Sequence, residues 1–244
     1  MRLTRLRKLI RTVTRSPTEA GEGAGAPVPQ RRSALRDFMI SRRIETVIDV
    51  GANAGQFARL LRERIAYRGR IISIEPLPDA FAGLQAKAAG DDRWSVLNLA
   101  LGDADTVLPL NIAGNSGSSS ILPMLDRCVQ SAPRSAYVGS VEVPVRRLDS
   151  LPELRTAAAE RCLLKMDAQG YEHRILQGAA SVIDGLSLIY LESSLVPLYD
   201  GELLIEEMIA YLRQRRFVPV DISRGYSDRV SGQQLQADIL FARA

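Results

Sequence analysis

Val47-Ile48-Asp49-Val50-Gly51-Ala52-Asn53-Ala54-Gly55, with Ile71-Ile72-Ser73-Ile74-Glu75-Pro76 placing Glu75 twenty residues beyond Gly55, decides how this chain of 244 residues is read. The first apolar run is short and β-branched, which predicts a buried strand. It stops at a glycine turn and passes into an amphipathic helix. Glycines let backbone approach a ligand, and N–H groups at a helix start hold negative charge. A carboxylate closing the next strand is placed to accept both hydroxyls of a ribose. Strand, glycine turn, helix, strand and acid make the first half of an adenosine-binding α/β domain.

Which adenosine ligand follows from the turn itself. A dinucleotide site needs G-x-G-x-x-G, but counted from Gly51 the second and third glycine positions hold Asn53 and Gln56. The missing third glycine removes the close helix packing that a pyrophosphate requires. The turn suits a smaller charged group, such as the carboxylate and amine of a methionine moiety, and so points to S-adenosylmethionine as cofactor.

Composition narrows the class. The length fits one α/β domain. Cys128 and Cys162 have no C-x-x-C spacing, and His173 is the single histidine, so the expectation is reduced thiols, no metal site and no Ser-His-Asp hydrolase. No apolar run approaches the ~20 residues of a membrane span, which predicts a soluble, cytoplasmic protein. Three lysines among 32 basic residues suggest a GC-rich bacterial genome.

The net charge of +4 divides unevenly. Residues 1–32 hold eight Arg or Lys against Glu19 and Glu22, or +6; the rest holds 32 minus 8 basic and 28 minus 2 acidic residues, or −2. The expected domains are therefore a basic N-terminal arm with a flexible linker, 1–32, and a catalytic domain, 33–244. Leu3, Leu6, Ile10 and Val13 at helical spacing among arginines read either as an amphipathic helix in peripheral contact with a membrane or as a disordered basic tail. The slightly acidic body predicts no nucleic-acid partner.

From Ser33 the pattern is globular. A covering helix carries Leu35, Phe38 and Met39. Strands at 46–50, 70–75 and 94–98 alternate with helices at 55–66 and 78–89. Such βα repeats imply a parallel sheet with helices on both faces. The middle departs from this rhythm: 106–112 and 140–147 read as strands, separated by a polar loop, 113–133, carrying Gly114-Asn115-Ser116-Gly117-Ser118-Ser119-Ser120. That loop reads either as a lid or acceptor-binding element or as a surface linker. Strands at 161–167 and 186–192 and helices at 171–177 and 205–215 follow. The last two strands, 217–221 and 236–243, lie too close together for a crossover and should pair antiparallel. The expected fold is a class I methyltransferase: Rossmann-like, doubly wound, mostly parallel, with an antiparallel C-terminal strand.

Lys165-Met166-Asp167-Ala168-Gln169-Gly170-Tyr171-Glu172 is the second informative block. Methyl transfer is a displacement in which the cofactor brings the leaving group, so the protein aligns the acceptor and removes its proton. A general base contributes 10² to 10⁴-fold to such a step. Asp167 is the first candidate, with Glu192, Glu172 and His173 behind it. For Glu172 and His173 a solvated helix start is the preferred reading.

Asp49 to Gly55, Glu75-Pro76, Asn98-Leu-Ala-Leu-Gly102, Leu148-Asp149-Ser150-Leu151, Lys165 to Glu172 and Leu191-Glu192 resemble, in order, the signatures of the FkbM-type S-adenosylmethionine-dependent methyltransferases. The resemblance runs from about residue 46 to the end. It implies O-methylation of a hydroxyl on a small molecule or glycan, such as a glycolipid or polysaccharide sugar or a polyketide. Carried over residue by residue, it implies that Gly51, Ala52, Asn53 and Gly55 meet the methionine end of the cofactor. Glu75 would bind the ribose, and Pro76, Ala100 and Leu101 would flank the adenine. Asp49 either contacts the cofactor or braces the turn; Asn98 either contributes or ends a strand. Where the family typically shows an acid in a D-x-E-G block, this chain has Gln169. Two rivals stay open: the same chemistry on a macromolecular acceptor held by the basic arm, and a cofactor-binding regulatory module without catalysis. An NAD-dependent oxidoreductase is weaker for want of the third glycine.

Overall fold

The computed structural model describes residues 34–159 and 161–244. The basic arm and linker, and the readings attached to them, lie outside the described residues. In chain order the elements are α1 (Ala34–Ser41), β1 (Thr46–Val50), α2 (Gln56–Leu60), β2 (Arg70–Ile74), α3 (Pro78–Ala88), β3 (Trp94–Leu97), β4 (Ala100–Leu101) and β5 (Thr106–Ala113). There follow α4 (Asp126–Ser131), β6 (Tyr137–Arg146), α5 (Pro152–Ala158), β7 (Cys162–Met166), α6 (Glu172–Gln177), β8 (Leu186–Ser194), α7 (Ile205–Arg213), β9 (Phe217–Arg224) and β10 (Gln236–Arg243).

Seven strands form one sheet in the order β3-β2-β1-β7-β8-β10-β9. β1 lies parallel to both β2 and β7, and β7 parallel to β8, whereas β10 runs antiparallel to β8 and β9. This is the expected doubly wound sheet with an antiparallel C-terminal strand. Successive strand residues point to opposite faces. Val47, Ile71, Leu163 and Leu188 pack with Met39, Ala58 and Leu84 from α1, α2 and α3. Ile48, Ile72, Leu164 and Ile189 pack with Leu154, Ile175 and Leu212 from α5, α6 and α7. Burial on both faces explains why these strands read as unbroken apolar runs. The chain leaves β1 in one direction to β2 and β3 and returns on the other side to β7. A crevice therefore opens at the carboxyl ends of β1 and β7, the topological switch point of such a sheet.

Three features differ from the sequence expectation. The helix expected at 55–66 is α2 followed by a π turn, Leu61–Ile65, closed by Ala66 at φ 59°. From that widened turn Arg62 donates to the carbonyls of Tyr67 and Gly69, 2.9 Å each, and ion-pairs Asp91 at 2.7 Å. The two middle strands do not join the main sheet: β5 and β6 pair antiparallel and, with β4, make a second sheet in the order β4-β6-β5. Its apolar face, Leu110, Val143 and Val145, packs on Leu77 and Ala100 beside the crevice. Helices α4 and α5 were not expected at all. Cys128 and Cys162 are both buried free thiols. Among the described residues no helix is long and apolar enough to cross a membrane.

Candidate functional site

The glycine turn after β1 is built from left-handed residues: Gly51 at φ 67°, Asn53 at 45° and Gly55 at 81°. A Cβ on Gly51 would stand 1.9 Å from the carbonyl oxygen of Asp167, at the end of β7. A Cβ on Gly55 would stand 3.0 Å from the Trp94 ring and 3.1 Å from Leu84. The sequence reading gave these glycines to a ligand. In the fold their missing side chains let β1 approach β7 and let α2 settle on α3 and β3. The turn's own N–H groups are also largely occupied. Gly51 and Ala52 both donate to the Ile74 carbonyl at 3.0 Å, Gly55 donates to Ala52, and Ala54 to the Asn53 side chain at 2.7 Å. The N-terminus of α2 behind them carries no side-chain cap.

Glu75 closes β2 as a buried carboxylate. Its Oε2 accepts from the Asn53 N–H at 2.7 Å and its Oε1 from the Leu77 N–H at 2.9 Å. Burial raises its pKa against the pull of those two N–H groups. A carboxylate has about four lone-pair sites, so two N–H bonds leave acceptor capacity toward the crevice. Asn98 donates to the carbonyls of Glu75 and Pro76, 2.9 and 3.2 Å, so its place is to brace the acid's turn.

Behind the turn lies a residue that the sequence reading quoted but gave no role. Lys165 is buried, with Nζ 3.1 Å from Asp49 Oδ1 and within 3.2 Å of the Val50 and Gly51 carbonyls. Burial alone would lower its pKa, but the Asp49, Asp167 and Glu75 carboxylates raise it on balance. Asp49 is wholly buried; its pKa is raised by that burial against the pull of Lys165. Ser73 donates to Asp49 Oδ2 at 3.2 Å and the Trp94 indole donates to Ser73 at 3.0 Å, so a buried polar chain ties four strands together. Asp49 braces the turn and does not reach the crevice. The signal for Lys165 was available: a lone lysine inside the apolar run Cys162 to Met166 is costly to bury unless paired.

On the far side of the turn several acids converge. Asp167 Oδ1 accepts from the Gln169 side chain at 2.7 Å, and the same amide nitrogen lies 3.2 Å from Glu192 Oε2. Gln236 donates to that Glu192 oxygen at 2.9 Å. Glu192 stands directly across from Asp238 in the β8–β10 register, on the face that carries Tyr190. Burial first, then the charges of Asp167, Asp238 and Glu172, push the Glu192 carboxyl up to about 8. Glu172 is the clear departure from expectation. It is buried, not solvated; its Oε1 accepts from the Ala168 N–H at 2.6 Å, and burial raises its pKa to about 7. His173 turns away from the acids and packs edge-on against Tyr211 at 4.7 Å.

The serine-rich segment closes the other wall. Ser116 sits at φ 52° with its hydroxyl 3.3 Å from the Asn53 amide, Ser120 donates to the Gln169 carbonyl at 2.8 Å, and Tyr199 donates to the Gln169 side-chain oxygen at 2.7 Å. The half-open cavity measures about 470 Å³, within the range of small-molecule sites. It is lined by Gly51, Ala52, Asn53, Glu75, Pro76, Ala100 and Leu101 at one end, and by Asp167, Gln169, Tyr190, Glu192 and Asp238 at the other. Of the sequence candidates, Asp49, Gly55, Asn98, Glu172 and His173 stand outside the lining. Among the described residues no cluster of His, Cys, Asp and Glu has the makings of a metal site.

A parallel sheet with one antiparallel strand, an acid at the end of β2 and a glycine turn after β1 define a class I methyltransferase. The chain belongs to the FkbM methyltransferase family: the family model for the methyltransferase FkbM domain matches residues 49–219. It is an S-adenosylmethionine-dependent methyltransferase. A crystal structure of methyltransferase FkbM from Methylobacillus flagellatus KT aligns with TM-score 0.50 at 14% identity, covering 80% of this chain and 43% of that one. The chain thus spans less than half the length of that enzyme. Magnesium protoporphyrin IX methyltransferase from Synechocystis PCC 6803 aligns at TM-score 0.49 and 8% identity over 86% of this chain and 76% of that one. An uncharacterized protein from Listeria monocytogenes serotype 4b aligns at 0.48 and 10% over 87% and 68%. No curated protein matches the sequence.

Proposed function

We propose that residues 33–244 transfer the methyl group of S-adenosylmethionine to a hydroxyl of a small molecule or glycan. The observation that carries this reading is one cavity with two ends of different chemistry: Glu75 and the Gly51–Asn53 turn at one, Asp167 and Glu192 at the other. The residues fit the cofactor. Glu75 keeps free lone pairs for two ribose hydroxyls. Pro76, Leu77, Leu99, Ala100 and Leu101 offer an apolar slot for adenine, and Gly51, Ala52 and Asn53 border the space left for the methionine end.

The cofactor supplies an electrophilic methyl on a sulfonium, a leaving group that needs no acid. What remains for the protein is to aim the acceptor oxygen and take its proton. Asp167 has one oxygen engaged by Gln169 and the other, Oδ2, 3.9 Å from Lys165 Nζ. In this reading Oδ2 accepts the hydroxyl proton as the new C–O bond forms. Glu192, protonated near neutral pH by virtue of its raised pKa, donates a hydrogen bond that orients the acceptor.

The test begins with calorimetric titration of the purified chain with S-adenosylmethionine, S-adenosylhomocysteine and NAD. A panel of hydroxyl acceptors starting from deoxysugar glycosides follows. Micromolar binding of the first two ligands with methyl ether formation is the expected result. Cofactor binding without turnover on any acceptor would favour a regulatory module instead.

A further inference from the structure

We propose that Gln169 is a positioning residue whose side-chain amide spans Asp167 and Glu192 and is itself held by the Tyr199 hydroxyl, so that the serine-rich segment and the two acids are set as one unit. The inference rests on the reading of Asp167 and Glu192 as the acceptor end of the cavity.

The argument begins with crowding. Glu192 is faced by Asp167 at the end of β7, Glu172 from α6, Asp238 from β10, and the phenols of Tyr190 and Tyr199. The nearby cation, Lys165, stands 3.1 Å from Asp49 and 3.9 Å from Asp167 Oδ2. Acids this close oppose each other's ionisation. An acid at position 169 would add another like charge, and an apolar residue would take the Gln169 donor from Asp167 Oδ1 and leave Glu192 Oε2 with Gln236 alone. An amide is the side chain that donates to both acids while carrying no charge, and Gln169 Nε2 does so at 2.7 and 3.2 Å.

The amide is not free to swing. Its oxygen accepts from Tyr199 at 2.7 Å; that hydroxyl also lies 3.3 Å from the Ser118 carbonyl; and the Gln169 backbone carbonyl accepts from Ser120 at 2.8 Å. Gln169 itself holds φ 53°, a left-handed backbone that its neighbours must sustain. Tyr199 is fully buried and the Cβ of Gly170 would lie 3.1 Å from it, so the block after β7 and the wall opposite are packed together. Seating of the serine-rich segment therefore reaches the acids through one side chain.

The test is a carbon-detected NMR titration of glutamate carboxyls in the full chain, comparing wild type with Gln169→Asn and Tyr199→Phe. Asparagine tolerates the left-handed backbone but is one methylene too short to bridge both acids. Loss of a hydrogen bond to the charged form raises a carboxyl's pKa, so the Glu192 midpoint should climb from about 8 by roughly one unit in Gln169→Asn. Tyr199→Phe should move it the same way by less. S-adenosylhomocysteine affinity, and the Glu63 midpoint in its ion pair with Arg59, serve as controls for the fold and should not change. An unmoved Glu192 midpoint with controls intact overturns the inference. If Gln169→Asn fails its controls, Tyr199→Phe decides. The titration needs no acceptor, so failure of the acceptor panel strikes the proposed function alone.

Discussion

The two ends of the cavity handle negative charge in opposite ways. At the β2 end a single acid, Glu75, is met by two backbone N–H groups, one from Leu77 two residues on and one from Asn53 in the glycine turn, and that turn is locked by the buried Lys165–Asp49 pair. At the far end Asp167, Glu172, Glu192 and Asp238 come from four elements and meet one another, with amides from Gln169 and Gln236 between them. The first arrangement holds one carboxylate in a fixed place. In the second, burial raises the carboxyls of Glu172 to about 7 and of Glu192 to about 8, so both hold protons near neutral pH.

The widest gap between the two ends should appear in Asp167→Asn. Turnover on a hydroxyl acceptor should fall by about 10² to 10⁴-fold while S-adenosylmethionine affinity measured by calorimetry stays within a few-fold. A fully active variant would merge the two ends into one binding surface. Lys165→Met probes the other side of the contrast. It strands Asp49 in the core, and urea unfolding should show a loss of roughly 3–5 kcal/mol; a stability near wild type would mean that the turn does not depend on the pair.

A pH series sharpens the difference further. Glu172 has a folded pKa raised from 4.5 to about 7, so the folded state holds a proton that the unfolded chain releases. Its contribution is full below pH 4.5 and is lost as pH rises through about 7, by roughly 3 kcal/mol at 1.36 kcal/mol per unit. Glu172→Gln should flatten that part of the stability curve in denaturant titrations between pH 4.5 and 8, and an unchanged slope would remove Glu172 as its source. Smallest is the effect of Glu75→Ala, expected to weaken S-adenosylmethionine binding at least tenfold, about 1.4 kcal/mol, with thermal unfolding little altered. Unchanged affinity would take the ribose contact away from Glu75.

Much of the β2 end was legible because it is local. Strand, turn and acid follow one another within thirty residues, and β-branched runs that are buried on both faces announce parallel strands. The boundaries of β1 at 46–50 and β10 at 236–243 were read as they stand in the fold, and so was the antiparallel pairing of the last two strands. Helix α5 was missed although Pro152 at its first turn is a helix-start signal; only seven residues long, it gave little periodicity to read. The second sheet was missed because the alternation of 106–112 and 140–147 says strand without naming its partner.

The far end was legible only as a set of names. Asp167 and Glu192 stood out as acids at strand ends, but Glu172 looked like a solvated helix start and Lys165 like part of an apolar run. Their burial, and the bridge that Gln169 makes from Asp167 to Glu192, depend on residues from 23 to 115 positions away. The sequence by itself determined the seven strands of the main sheet, the family and the cofactor, since short-range spacing encodes each of them. The tertiary structure alone decided which glycines serve packing, which acids are buried, and which amide stands between them. Those depend on desolvation and on distances across the sheet, and neither is written in the spacing of residues along a chain.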